Sequence, residues 1–324
     1  MRRGEAPEHL QPAFEVAHLA AGGIFFKIEE FIAMRYEGQV FRPFSEANSY
    51  LLQCTIGCSH NKCTFCGMYK DRTYRVRSLD EIMTDIRMAK EHYGDLEKVF
   101  LCDGDAIAME TPVLVEILTT LYNTFPSLRH VGSYVGPQST LAKGDDLAVL
   151  RSAGLTKAYL GVESGDDEVL TAIKKGVTSQ EMLQAGLNLV DADINLSSMV
   201  LLGIAGTGAA ARRHAEATAE ITNRMKPRYL AALTYTPVPG TVLFHSYEKG
   251  DLILPDPFET LEEMRTIFEN ITIDGLKFVG AHASNYLPVS GELQKDRAKM
   301  IETVEAVIAS SDMRHLRSEG ARGL

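Results

Sequence analysis

From Tyr50 onward the sequence alternates short apolar runs of strand character with longer stretches whose apolar residues fall at helical spacing. This alternation limits the fold more than any other feature. Strand-like runs lie near 50–56, 98–102, 129–135, 156–162, 196–203 and 228–235, with helical patterns between them at about 79–93, 112–124, 145–153, 179–192 and 209–225. Leu79, Ile82, Met83, Ile86 and Ala89 form one core stripe, and Leu114, Ile117, Leu118 and Leu121 form another. Repeated βα units of this kind build a parallel sheet, and six of them are too few for a complete eight-fold barrel. The expected fold is therefore α/β: a partial, TIM-like (β/α)6 barrel of parallel strands over residues 50–241. A helical extension and linker over 1–49 precedes it, and a C-terminal extension over 242–324 closes it.

Local signals refine this outline. Pro112 and Pro126 mark a helix start and a helix end, and Gly154 and Gly176 follow helical runs as C-terminal stops. Residues 1–13 lack periodicity, and the apolar positions from Phe14 to Met34 suggest one or two short helices broken near Gly22 and Gly23. Residues 242–257 read as a connector, 259–271 as an amphipathic helix, 293–309 as a final helix, and the last fifteen or so as a frayed tail.

A chain of 324 residues with 45% hydrophobic content can bury one large core or two modest ones. Its 33 basic and 43 acidic side chains leave a net charge of −10. No global positive field draws in nucleic acid, so a small-molecule or peptide substrate is the expectation. No apolar run reaches the length of a membrane span, and the N-terminus lacks the basic-then-apolar layout of a secretory signal. These features predict a cytoplasmic protein, a compartment where clustered cysteines are metal ligands or catalytic more often than disulfides.

Four of the five cysteines fall between Gln53 and Lys70, in QCTIGCSHNKCTFCGMYK. Cys58, Cys63 and Cys66 share one loop, with turn-forming Ser59, His60 and Asn61 in the first gap and a two-residue second gap. Three thiolates converging from a loop suit a [4Fe-4S] cluster and leave one iron without a protein ligand. The competing assignment is a tetrahedral zinc site that also uses Cys54. Cys54, however, lies in a strand-like run, and four extended residues at about 3.3 Å each would place it roughly 13 Å from Cys58. Cys102 falls in another apolar run and reads as a small core residue.

Ligands of parallel α/β sheets sit beyond the carboxyl ends of the strands. The second strand-like run ends in Asp103-Gly104-Asp105, where a glycine permits close backbone approach and a carboxylate can receive an ammonium, or where a solvated turn simply follows a strand. The third ends at Gly132-Ser133-Tyr134. The fourth ends in Glu163, an acid closing an apolar run, which needs a ribose diol, an ammonium or a lysine as partner. The fifth enters Gly203-Ile204-Ala205-Gly206-Thr207-Gly208, which lacks a P-loop lysine and reads as close approach to a base or as a tight turn. Near the C-terminus, His282, Asn285 and Tyr286 occupy a polar segment with strand-like flanks. They are candidate catalytic residues for proton transfer, carbonyl orientation and hydrogen donation.

At the cysteine loop the sequence resembles the radical S-adenosylmethionine (radical SAM) superfamily, in its coproporphyrinogen-oxidase-like branch. Phe65 supplies the aromatic before the last cysteine of the usual C-x3-C-x2-C signature, although here the motif is C-x4-C-x2-C. The flanking segments YEGQVFRPFSEANSYLLQ and GMYKDRTYRVR resemble a bacterial subgroup of that superfamily, and the resemblance covers about residues 36–308. It implies S-adenosylmethionine (SAM) as cofactor beside the cluster, with Phe65, Met68, Gly104, Asp105, Ser133, Glu163 and Lys175 as cofactor-binding residues. It further implies reductive cleavage of SAM to a 5'-deoxyadenosyl radical that abstracts hydrogen from a substrate. The electron would come from an external one-electron donor such as flavodoxin or ferredoxin. The longer cysteine gap leaves 3-amino-3-carboxypropyl chemistry open, and an electron-transfer or redox-sensing iron-sulfur protein without SAM cleavage is the alternative.

Overall fold

A computed structural model describes residues 35–323, so the helices expected between Phe14 and Met34 lie outside the described residues. In chain order, β1 (Tyr50–Gln53) leads into a short ribbon of β2 (Thr55–Ile56) and β3 (Arg75–Val76). The alternating units follow: α1 (Leu79–Tyr93), β4 (Lys98–Cys102), α2 (Thr111–Thr124), β5 (His130–Val135), α3 (Pro137–Lys143), α4 (Asp146–Ala153), β6 (Lys157–Glu163), α5 (Asp167–Ala172), α6 (Ser179–Asp191), β7 (Asn195–Leu202), α7 (Ala209–Met225) and β8 (Tyr229–Thr234). The chain then forms α8 (Val242–Glu248), α9 (Pro257–Asn270), β9 (Lys277–Val279), β10 (Ser290–Glu292) and α10 (Leu293–Ser310).

The main sheet runs β1-β4-β5-β6-β7-β8-β9-β10. Every neighbouring pair is parallel except the last. This is the partial barrel that the alternation predicts, with β9 and β10 added at its β8 edge. Strands of three residues carry too little pattern to be read from sequence. The expected strand over 50–56 is divided, because Thr55 and Ile56 leave the sheet to pair antiparallel with Val76 and Arg75.

Helix boundaries follow their caps. Ser78 and Glu81 form a capping box at α1, Thr178 and Glu181 at α6, and Asp256 and Glu259 at α9, where Pro257 opens the helix. Gly154 stops α4 in the left-handed region at φ +118°. Ile82, Ile86 and Ala89 are buried along α1, and Leu114, Ile117, Leu118 and Leu121 along α2, as their spacing requires. In β8 buried and half-buried residues alternate. One face of the sheet packs under helices. The other is concave and includes half-buried Tyr134 and Met199 against Leu51, Phe100, Cys102 and Tyr159.

Two expectations about the C-terminal extension need correction. The connector over 242–257 contains α8, capped by Thr241 accepting from the Phe244 N–H. None of its residues is buried, so it carries no periodic core stripe to be read. The last residues are not frayed: Leu316 is buried, and Arg317 Nη1 donates to the carbonyls of His282 (3.1 Å), Ala283 (3.0 Å) and Asn285 (2.7 Å). Arg322 donates to Ser284 O and Thr236 Oγ1 and lies 4.0 Å from the centre of the Tyr286 ring. Three carbonyls left without their cation should destabilise the protein, so Arg317→Ala is expected to cost about 1–3 kcal/mol in urea unfolding. Arg314→Ala, whose guanidinium is exposed beside Asp312, should stay within about 0.5 kcal/mol. Equal effects of the two would show that the tail is not docked.

Candidate active site at the carboxyl ends of the strands

The β2–β3 ribbon closes the base of the cysteine loop, and Gly57 enters that loop at φ +78°. Asn61 takes the left-handed region at φ +39°, and its side-chain amide donates 2.7 Å to Tyr69 O, which bears out the turn expected there. The loop rests on the end of α5. The Thr64 N–H donates to Ile173 O (2.9 Å), Thr64 Oγ1 to Ala172 O (3.3 Å), and His60 Nε2 lies 2.8 Å from Lys174 O. These carbonyls end a helix and have no partner within it, so the loop supplies what the last turn lacks. Phe65 inserts beside Val169, Leu170, Ile173, Ile204 and Tyr235, an apolar anchor between the ends of β6, β7 and β8.

Cys58, Cys63 and Cys66 are half-buried; Cys63 feels the charge of both others, and Cys66 that of Cys58. Burial pushes the Cys63 thiol up to about 11 and raises Cys66, although the Met68 N–H donates to the Cys66 sulfur and opposes this. A cation beside these thiols would hold them as thiolates. Cys54 is fully buried, its thiol is pushed up to about 12, and its N–H is bonded to Cys102 O at 2.7 Å. It belongs to the core, as does Cys102, and cannot complete a four-cysteine zinc site. Among the described residues, no three His, Cys, Asp or Glu side chains are gathered as ligands of a single ion. A cluster spreads its three thiolates around a larger body, and this donor set fits one.

The turn after β4 packs against the first of these cysteines. A Cβ on Gly104 would lie 3.0 Å from Cys58 Cβ and 2.7 Å from Tyr69 Cε2, so only glycine fits there. Asp105 is fully buried; it accepts from Ser59 Oγ, from Ser139 Oγ (2.5 Å) and from the Gly136 N–H (2.9 Å). Burial raises its carboxyl despite these donors. Asp103 Oδ2 accepts from Gln53 (3.1 Å) and from the Gly57 N–H (3.0 Å), while its Oδ1 is buried without a partner. Ser133 is also fully buried, and its hydroxyl is taken up by Leu101 O and Tyr134 O.

Glu163 and Lys175 come together: Lys175 Nζ donates to Glu163 Oε1 at 2.8 Å, and both groups act on the charge of Cys63 and Cys66. Burial alone would lower the ammonium of Lys175, but Glu163 and Cys63 more than reverse this and raise it. The pair thus brings one charge of each sign beside the three thiols.

His282, Asn285 and Tyr286 follow β9 and cap the end of β8. His282 Nδ1 lies 2.9 Å from Ser284 Oγ, and burial with the nearby Arg317 guanidinium lowers its pKa. Asn285 is fully buried; it accepts from Thr234 Oγ1 and donates to Ala232 O and Gly280 O, each bond 2.8–2.9 Å. Tyr286 donates 2.5 Å to Glu319 Oε1 under the Arg322 guanidinium. The structure therefore gathers Cys58, Cys63, Cys66, Phe65, Met68, Gly104, Glu163 and Lys175 around one loop. Asn285 and Tyr286 are committed to holding the C-terminal segment. Sequence reading missed Ser59, Ser139 and Thr64, which fasten the loop; each is a common polar residue whose role depends on a partner distant in sequence.

The radical SAM superfamily profile matches residues 52–213. The chain is 28% identical over 166 residues to 4'-phospho-dehydrooxetanocin synthase of Priestia megaterium, a stretch covering 45% of this chain and 22% of that protein. It is 22% identical over 203 residues to an uncharacterized methyltransferase of Pyrococcus horikoshii, covering 61% and 42% respectively. The match thus spans less than half the length of either curated relative. Among solved structures, coproporphyrinogen III oxidase from Escherichia coli, a radical SAM enzyme, superposes with a TM-score of 0.54 at 16% identity, over 75% of this chain and 55% of that one. HydG, a maturase of the [FeFe]-hydrogenase, superposes at 0.51 with 14% identity, over 78% and 55%. These two show the same fold. Among the described residues no helix is long and apolar enough to cross a membrane. With half of its length under the family profile, the chain belongs to the radical SAM superfamily, a family whose cofactors are a [4Fe-4S] cluster and SAM.

Proposed function

We propose that Cys58, Cys63 and Cys66 would hold the cluster and that residues at the ends of β4 and β6 would hold SAM. The observation that carries this reading is the gathering of three thiols beside the Glu163–Lys175 pair, at the strand ends where parallel α/β sheets bind ligands. When bound, the cluster would supply one electron for reductive cleavage of SAM, the source of a 5'-deoxyadenosyl radical able to abstract hydrogen from a substrate. Glu163 is suited to accept from a ribose diol or an ammonium, and Lys175 to meet a carboxylate. Asp105 acts by holding Ser59, hence the loop, in place. Gly104 and Ser133 keep the backbone close and shaped, and Phe65 and Met68 fix the loop around Cys66.

The concave face above β5, β7 and β8 presents half-buried Tyr134, Met199, Leu201, Ala231 and Leu233. Such a wall favours a small-molecule or peptide substrate with an apolar, uncharged face, and His282 is the group of the C-terminal segment best placed to move a proton. An external one-electron carrier of the flavodoxin or ferredoxin type completes the reaction, and a reducing cytoplasm suits three free thiols.

Iron and sulfide analysis after anaerobic reconstitution should show the cluster lost in Cys63→Ala and retained in Cys54→Ala; the reverse pattern would overturn the ligand assignment. Glu163→Gln should weaken SAM binding about tenfold, the effect of one lost charge-assisted bond, and also lower the melting temperature, because buried Lys175 loses its partner; a lowered melting temperature with unchanged SAM affinity would make the pair structural only. With dithionite and SAM, chromatography of the quenched reaction should show slow release of 5'-deoxyadenosine. A dominant 5'-methylthioadenosine peak would mean that the other carbon-sulfur bond breaks, and no cleavage in cluster-loaded protein would favour the electron-transfer alternative.

A further inference from the structure

Behind Glu163 lies a row of buried polar side chains that no binding role explains. Ser164 Oγ is 2.7 Å from His214 Nδ1 on α7, and His214 Nε2 is 3.2 Å from Glu263 Oε1 on α9, a contact without hydrogen-bond geometry that leaves Nε2 buried and without a hydrogen-bond partner. Glu263 also accepts from the Gly203 N–H at the end of β7, at 3.1 and 3.2 Å. Serine, histidine and glutamate in that order suggest a nucleophile, but Ser164 and His214 are both fully buried, and Ser164 Oγ already accepts from the Asp166 N–H at 2.9 Å. No substrate reaches this serine.

The residue it adjoins is strained. Glu163 lies at φ +63°, a region that a side chain rarely adopts, and the Ser164 N–H returns to Val162 O at 2.8 Å to close a three-residue turn around it. The same point shifts the β6–β7 register, with Gly161 opposite Met199 and Glu163 opposite Val200. Strain of this kind persists only where surrounding contacts over-determine it. Here α7 grips the turn: the Gly165 N–H donates to Thr218 Oγ1 at 3.1 Å, and a Cβ on Gly165 would lie 2.1 Å from Ala217 O.

We infer that Ser164, His214 and Glu263 form a buried brace that holds Glu163 in its left-handed conformation, and so aims its carboxylate at Lys175 and the cysteine loop. His214 is a positioning residue that ties the end of β6 to α7 through Ser164, with Glu263, bonded to the end of β7, packed against its other ring nitrogen. The consequence for cofactor binding rests on the function proposed for Glu163; the conformational part does not.

A double-mutant cycle in full-length protein without added SAM separates the two. Alanine and glycine at position 163 both remove the carboxylate, but only glycine takes the left-handed conformation without strain. His214→Phe should lower the urea midpoint in all three backgrounds, the parent included, and by clearly more in Glu163→Gly than in Glu163→Ala, because release of the strained backbone offsets part of the lost contact with alanine and nothing with glycine. Equal losses in all three backgrounds would overturn the brace. Should His214→Phe not fold, Ser164→Ala completes the same cycle and is judged by the same criterion. In cluster-loaded protein, His214→Phe should weaken SAM binding about tenfold. A positive cycle with unchanged SAM affinity would leave the brace standing and count against Glu163 as a SAM-binding residue.

Discussion

Asp105 is the point at which the cysteine loop is tied to the sheet. Its carboxylate, fully buried after β4, takes the hydroxyl of Ser59 from the loop, and the hydroxyl of Ser139 and the N–H of Gly136 from the turn and helix after β5. A buried carboxylate left without donors would be costly, so these three segments are held together or the group must be neutralised. The end of α5 provides a second tie, because its last carbonyls receive Thr64 and His60 from the same loop. The eighteen residues between β2 and β3, with little secondary structure of their own, are thereby fixed on a rigid scaffold. Three cysteines can hold one cluster only if their backbone does not wander.

The site also shows how charge is placed where an iron-sulfur site would need it. In a chain with ten more acidic than basic side chains, Lys175 is buried beside the thiols, and its partner Glu163 keeps it charged. Thiolate formation is opposed by burial at Cys63 and Cys66, and the nearby ammonium and the Met68 N–H counter that penalty. The brace through Ser164 and His214 belongs to the same design, as it keeps the carboxylate of the pair at a fixed position.

Much of this was legible in the sequence, because the relevant physics is local. Helical spacing places α1, α2, α6, α7, α9 and α10 within a few residues, and the apolar runs locate six of the seven parallel strands. The turn propensity of Ser59, His60 and Asn61 and the spacing of the three cysteines describe the loop. What was not legible depends on partners far apart in the chain. Arg317 and Arg322 look like a loose basic tail until the carbonyls of His282, Ala283, Ser284 and Asn285 are brought to them. Asp105 looks like a ligand-binding carboxylate until Ser139 and Gly136 arrive from the next unit, and the left-handed backbone of Glu163 has no glycine to announce it.

The central claim is that three cysteines hold a cluster in which one iron is left for SAM. Mössbauer spectroscopy of 57Fe-reconstituted protein, recorded with and without SAM, addresses it most directly. The account predicts that SAM shifts the isomer shift of a single iron site and leaves the others unchanged. Iron sites that are all equivalent and unaffected by SAM would contradict it.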